Sequence, residues 1–213
     1  MPANSITIVD YDSGNVYGVS RALEHLGYNV ELTGDPDRIA NAARLILPGV
    51  GAFDAAWNLL QERNLVKPIQ DFVASSRPFL GICVGMQLML EEGTEFGNHQ
   101  GFGFIAGRVE RINYAGADGT PHPVPCVGWY ALHSATDIRD SLMQNFDDDD
   151  TVYFVHSYAA RPTNDNDVLA YSEYNGNRIV AALRRGNVYG VQFHPERSGA
   201  SGMKVLNNSM SIT

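Results

Sequence analysis

Short β-branched apolar runs alternate with stretches in which apolar residues recur every three to four positions. Residues 6–11, Ile-Thr-Ile-Val-Asp-Tyr, read as a strand; after a turn at Asp12-Ser13-Gly14, a helical pattern covers residues 15–26 and stops at Gly27. Residues 28–33 form a second strand, Asp35-Pro36 opens a short helix, and residues 44–47 form a third strand that ends at Pro48. Helices follow over residues 53–62 and 65–75. A strand at 79–82 then runs straight into a helix that the pattern carries through Glu92. Strand and helix in alternation predict an α/β fold with a mostly parallel, doubly wound sheet and helices on both faces, whose sites lie at the carboxyl ends of the strands.

Beyond Glu95 the rhythm changes. Segments 107–112, 124–132 and 151–155 alternate or carry β-branched residues with Gly and Pro between them, which predicts an antiparallel section. Residues 168–174 and 179–183 flank Asn175-Gly176-Asn177, a strong hairpin signal. A last strand at 188–193 precedes a closing helix at 199–210 that sets Met203, Leu206 and Met210 on one face, as core. The acidic run 147–150 reads as a solvated turn, because consecutive carboxylates lack the spacing of a calcium loop.

Composition narrows the class. With 213 residues, 44% hydrophobic and 18% charged, the chain (1–213) reads as one globular domain with a full-sized core. A net charge of −9 speaks against non-specific nucleic-acid binding. Two cysteines make no disulfide framework and fit a reducing compartment. The start, Met-Pro-Ala-Asn-Ser, does not resemble a leader, and no apolar run approaches a membrane span, so the expected location is the cytoplasm.

Chemistry enters at Gly81-Ile82-Cys83-Val84-Gly85, which has nucleophile-elbow spacing with sulfur in place of a hydroxyl. Flanking glycines allow the tight turn, and free N–H groups at a helix start favour a thiolate. Alone, the stretch reads equally well as a small apolar cysteine at a strand end. A second stretch decides between the two: the strand 188–193 ends in His194-Pro195-Glu196, a base with a carboxylate two residues on. A cysteine nucleophile needs such a base, and the base needs an acid to orient it. Pro48-Gly49-Val50-Gly51 lacks the third glycine of a dinucleotide loop, and no Gly-Lys-Ser/Thr of a phosphate loop occurs. Neither a metal nor a cofactor is expected: His25, His99, His122 and His133 have no partners at ligand spacing.

Together, Gly81-Ile82-Cys83-Val84-Gly85-Met86-Gln87 and Gln192-Phe193-His194-Pro195-Glu196-Arg197-Ser198-Gly199 resemble the class I (triad) glutamine amidotransferase family, and within it the glutaminase subunits of imidazole glycerol phosphate synthase. The resemblance implies a Cys83-His194-Glu196 triad hydrolysing glutamine to glutamate and ammonia. It implies an oxyanion hole from the amides around Val50 and Gly51 with that of Val84, and a glutamine site from Gly49, Gln87, Glu95 and the segment His156-Ser157-Tyr158. It implies a heterodimer with a (βα)₈-barrel cyclase subunit that takes the ammonia in histidine biosynthesis, with Asn15, Trp129 and Arg197 facing that partner. No nucleic acid, membrane or cofactor takes part. One segment departs from the family: where Pro-His-x-Gly-Trp-Asn is usual, this chain has Pro125-Cys126-Val127-Gly128-Trp129-Tyr130. Cys126, in an apolar strand, reads as inert. Alternatives are a paralogous subunit feeding ammonia to another acceptor, as in surface-sugar amidation, a same-fold cysteine hydrolase, and a non-catalytic docking subunit, against which the intact triad argues.

Overall fold

The computed structural model describes residues 5–147 and 150–212. Positions 148 and 149 of the acidic run lie outside the described residues, as do the first four residues, read above as lacking a leader.

The first half follows the alternation: β1 (Ser5–Val9), α1 (Val16–His25), β2 (Asn29–Thr33), α2 (Pro36–Ala40), β3 (Leu45–Gly49), α3 (Phe53–Glu62), α4 (Val66–Ala74) and β4 (Phe79–Cys83). Local chemistry sets the helix starts. Asn15 caps α1 by accepting the Gly18 N–H at 3.3 Å, and Asp35 caps α2 by accepting the Asp37 N–H at 2.9 Å. β3 is fully buried and β1 nearly so, as expected of strands covered on both faces.

The second half holds α5 (Val84–Gln87), β5 (Leu90–Gly93), β6 (His99–Gln100), β7 (Ile105–Arg111), β8 (Cys126–Ala131), β9 (His133–Ser134), β10 (Thr151–His156), β11 (Tyr158–Pro162), β12 (Val168–Tyr174), β13 (Asn177–Arg185), β14 (Val188–Val191) and α6 (Gly199–Ser209). The main sheet runs β2-β1-β3-β4-β14-β13-β12-β9, parallel from β2 to β14 and antiparallel beyond. With the usual right-handed sense, crossovers in this strand order would carry α1 to one face and α2, α3 and α4 to the other. The packing of α1 on α6 and of α2 on α4 agrees. The antiparallel section is real: β10 pairs with β8, and a smaller sheet runs β11-β7-β5-β6.

Three expectations are corrected. The elbow helix does not reach Glu92: α5 ends at Gln87, and Leu90–Gly93 is a strand. The carbonyls of Leu88, Met89, Leu90 and Glu91 accept N–H groups from Phe102, Ile105, Gly103 and Gly101, so a later segment takes the bonds a helix would have used. The last strand stops at Val191 rather than Phe193, because the chain turns to bond Tyr153, the His194 N–H reaching its carbonyl at 3.0 Å. Asp150 is no solvated turn residue: it accepts from Ser201 Oγ at 2.6 Å and from Lys204 Nζ at 2.8 Å, tying its loop to α6. On α6, Leu206 is fully buried and Met203 and Met210 pack half-buried against the core.

Candidate active site

β4 and β14 are parallel neighbours, so the residues following them emerge at the same edge. Cys83 ends β4 with φ +54° and ψ −113°, a conformation that costs a residue with a Cβ about 1–3 kcal/mol and marks a strained elbow. The flanking glycines explain how the turn closes. A Cβ on Gly81 would lie 2.6 Å from the Gly85 carbonyl oxygen, and one on Gly85 would run into the Leu47 carbonyl. Both side chains are excluded by backbone.

His194 follows β14, and a 3₁₀ turn at Pro195–Arg197 curls Glu196 back beneath it. Nδ1 of His194 lies 3.0 Å from Glu196 Oε1, and both side chains are almost wholly buried. Ser198 clamps the arrangement: its hydroxyl donates to the His194 carbonyl at 2.6 Å and accepts the Tyr153 N–H at 2.9 Å. Burial alone would lower the His194 pKa, but hydrogen bonds to Cys83 and Glu196, with their negative charges, outweigh it and hold the imidazolium well above the ordinary histidine range. Burial would raise Glu196, yet the bond and charge of His194, with a donor from Asn15, hold its carboxyl low. The histidine and its acid thus form a buried imidazolium–carboxylate pair beside the Cys83 sulfur.

Cys83 and His194 meet at a cavity of about 350 Å³, a normal volume for a small-molecule site. It is lined by Cys83, Val84 and His194, by Val50 and Gly51, and by Gln87, Glu95, His156, Ser157 and Tyr158. The residues expected to bind glutamine thus lie around one cavity, with one exception. Gly49 does not line the cavity; it is buried where a Cβ would meet Gly85 N at 2.8 Å and the Tyr11 hydroxyl at 2.9 Å, so it lets β3 approach the elbow instead. Glu95 follows a strand rather than a helix, and one of its oxygens accepts the Phe53 N–H at 2.9 Å at the start of α3. Beside the cavity, the Val50 carbonyl accepts from Ser13 Oγ at 3.3 Å.

Four contributions were not read from the sequence. Pro125 and Val155 line the cavity. Asn15, expected only at the partner face, is exposed but donates from Nδ2 to Glu196 Oε1 at 2.9 Å, across a sequence gap no local pattern spans. Gln192, which opens the second motif but takes no role from the sequence, is fully buried with its Nε2 3.7 Å from Cys83 Sγ. Cys126 is inert as read: it is buried, and burial pushes its thiol up to about 11. Among the described residues, no three His, Cys, Asp or Glu side chains cluster to hold a metal, and no helix is long and apolar enough to cross a membrane.

The cavity mouth is bordered by the β8–β10 ribbon, where Val127 pairs with Val155 and Trp129 with Tyr153. Trp129 is 52% exposed, Val127 48% and Val155 36%, an uncovered apolar face. Arg197 stacks over the Tyr153 ring at 4.6 Å, and Trp129 meets that ring edge-on at 6.0 Å.

A parallel sheet with a cysteine elbow and a His-Glu pair after the adjoining strand defines a triad amidotransferase scaffold. The chain belongs to the class-I glutamine amidotransferase family, whose sequence model matches residues 7–212. It is 42% identical over 212 residues to imidazole glycerol phosphate synthase subunit HisH 1 of Legionella pneumophila (strain Lens), covering 98% of this chain and 100% of that one. It is 46% identical over 210 residues to the HisH subunit of Geobacillus sp. (strain WCH70), covering 97% and 96%. Among solved structures, PurLQS from Thermotoga maritima matches with TM-score 0.72 at 19% identity, covering 97% of each chain, a likeness of fold.

Proposed function

We infer that the chain is the glutaminase subunit of an imidazole glycerol phosphate synthase, a single amidotransferase domain working in the cytoplasm. The Cys83 thiolate attacks the side-chain carboxamide carbon of glutamine. The Val84 N–H and the amide around Val50 and Gly51 hold the tetrahedral oxyanion, each such donor contributing typically about 2.7–4 kcal/mol. His194 gives its proton to the departing nitrogen as the C–N bond breaks, so ammonia leaves and a γ-glutamyl thioester remains. Water deprotonated by His194 then cleaves the thioester, glutamate departs and the thiolate is restored. Glu196 holds the imidazole in place, while Gln87, Glu95 and the 156–158 segment bind the amino-acid end of the substrate.

The observation that carries this reading is the meeting of Cys83 and His194 at one cavity lined by Gln87, Glu95 and residues 156–158, with Glu196 behind the histidine at 3.0 Å from its Nδ1. Ammonia released into neutral water becomes ammonium, a poor nucleophile, so the product needs a covered route to its acceptor. A (βα)₈-barrel cyclase subunit docked over the exposed apolar face of Val127, Trp129 and Val155 supplies it, with Arg197 and Asn15 at the same rim.

The test is glutamate release by the purified chain, alone and with a cyclase barrel and its ribotide substrate, beside Cys83→Ala. Strong stimulation that vanishes in Cys83→Ala is expected. Full turnover by the chain alone would show that no partner is needed to activate Cys83. Glutamine hydrolysis with no binding to the barrel transfers the chain to a paralogous pathway.

A further inference from the structure

Cys83 and Gln87 are joined by a chain of buried amides. Gln87 Nε2 donates to the Tyr158 carbonyl at 2.9 Å and to Gln192 Oε1 at 3.0 Å, and Gln192 Nε2 stands 3.7 Å from Cys83 Sγ. His156 Nδ1 meets the same Tyr158 carbonyl at 2.8 Å. The direction of every bond follows from one fact: a backbone carbonyl only accepts. The Gln87 atom facing it must therefore be nitrogen, and the second N–H of that nitrogen requires oxygen on Gln192. The remaining atom of the Gln192 amide is then nitrogen, and it faces sulfur.

We propose that Gln192 is a catalytic residue that donates an amide N–H to the Cys83 sulfur, in an orientation fixed by Gln87 and the Tyr158 carbonyl. The proposal rests on the reading of Cys83 as the nucleophile. A flipped Gln192 would set oxygen lone pairs against the thiolate and two NH₂ groups against each other. Because Gln192 is fully buried, no water repairs either fault. The donor is neutral, so it stabilises the anion without adding a proton-transfer competitor to His194. The relay also gives Gln87 a second role, since the residue on the substrate wall holds the amide that holds the sulfur.

The test is iodoacetamide alkylation of Cys83 in the full chain as a function of pH, followed by peptide mass spectrometry, with no glutamine present. Gln192→Met keeps the shape and deletes the donor. Gln87→Glu removes the donor to Gln192 and invites it to flip. Each should move the pH of half-maximal alkylation upward by about one unit, roughly a tenfold slower reaction on the acid limb. A merely structural glutamine alters melting without moving that midpoint. A folded Gln192→Met with the wild-type profile overturns the proposal, and so does an unmoved midpoint in Gln87→Glu should the methionine variant misfold. Failure of wild-type Cys83 to alkylate in preference to Cys126 would instead overturn the nucleophile assignment.

Discussion

Replacing His156 by glutamine should remove a specific part of the acid sensitivity of the fold. The ring is buried against Phe154, its Nδ1 donates to the Tyr158 carbonyl at 2.8 Å, and its Nε2 has no partner among the described residues. A proton added there would sit in the interior with nothing to accept it. Burial, opposed by the Tyr158 bond and reinforced by the nearby His194 charge, lowers its pKa from 6.5 to about 4. Between those values the unfolded chain binds a proton that the folded chain refuses, so stability is intact above pH 6.5 and declines as pH falls toward 4. At pH 5.5 the loss relative to pH 8 is on the order of 1 kcal/mol. Glutamine is the replacement of choice because its amide N–H reaches the same carbonyl. Urea unfolding at both pH values, followed by tryptophan fluorescence, gives the difference for each protein. His194 does not confuse the comparison: its raised pKa makes stability that is present below 6.5 and is lost on the alkaline side, and the variant retains it. Wild type should lose on the order of 1 kcal/mol more than His156→Gln between pH 8 and 5.5. Equal losses in the two proteins would refute the argument.

Asn15→Asp keeps the cap on α1 but replaces the donor to Glu196 with a charge, so kcat for glutamine should fall about tenfold while Tm scarcely changes. Asn15→Ala should lose activity and, in addition, about 1 kcal/mol of stability from the missing cap; calorimetry beside steady-state kinetics separates the two. Gly85→Ala drives a methyl into the Leu47 carbonyl, and the expected cost of about 3 kcal/mol should lower Tm by roughly 6–12 °C; an unchanged melt would mean that the elbow has room. Asp150→Asn breaks a half-buried contact with Lys204 and should cost about 1 kcal/mol at pH 7. Because the folded carboxyl is held low, that difference should fade as the medium is acidified below the ordinary Asp pKa of 3.8; a difference that persists in strong acid would show that the ion pair is not its source.

The two segments that carry the chemistry were legible because each is written in consecutive residues. Cys83 with its flanking glycines specifies the turn, and His194 with Glu196 specifies the base and its acid, whose 3.0 Å bond needs only one short turn. The hairpin was legible for the same reason: Asn175 and Gly176 adopt the positive φ values, +50° and +75°, that such a turn demands. What escaped is what depends on distant partners. Leu88, Met89 and Leu90 continue a helical apolar rhythm, yet all three are buried and their carbonyls are claimed by residues 101–105, a competitor that no local window contains. Asn15 looks like a helix cap and is one; its bond to Glu196 exists because α1 and the turn after β14 pack together. Gln192 belongs to the same group. In sequence it is the residue before Phe193 in a strand, and only when β4, β14 and the β10–β11 corner converge does its amide fall between Gln87 and Cys83. The proposed nucleophile can be read from a single motif, whereas the amides and charges gathered around its sulfur come from four separate stretches of chain and become visible only in the fold.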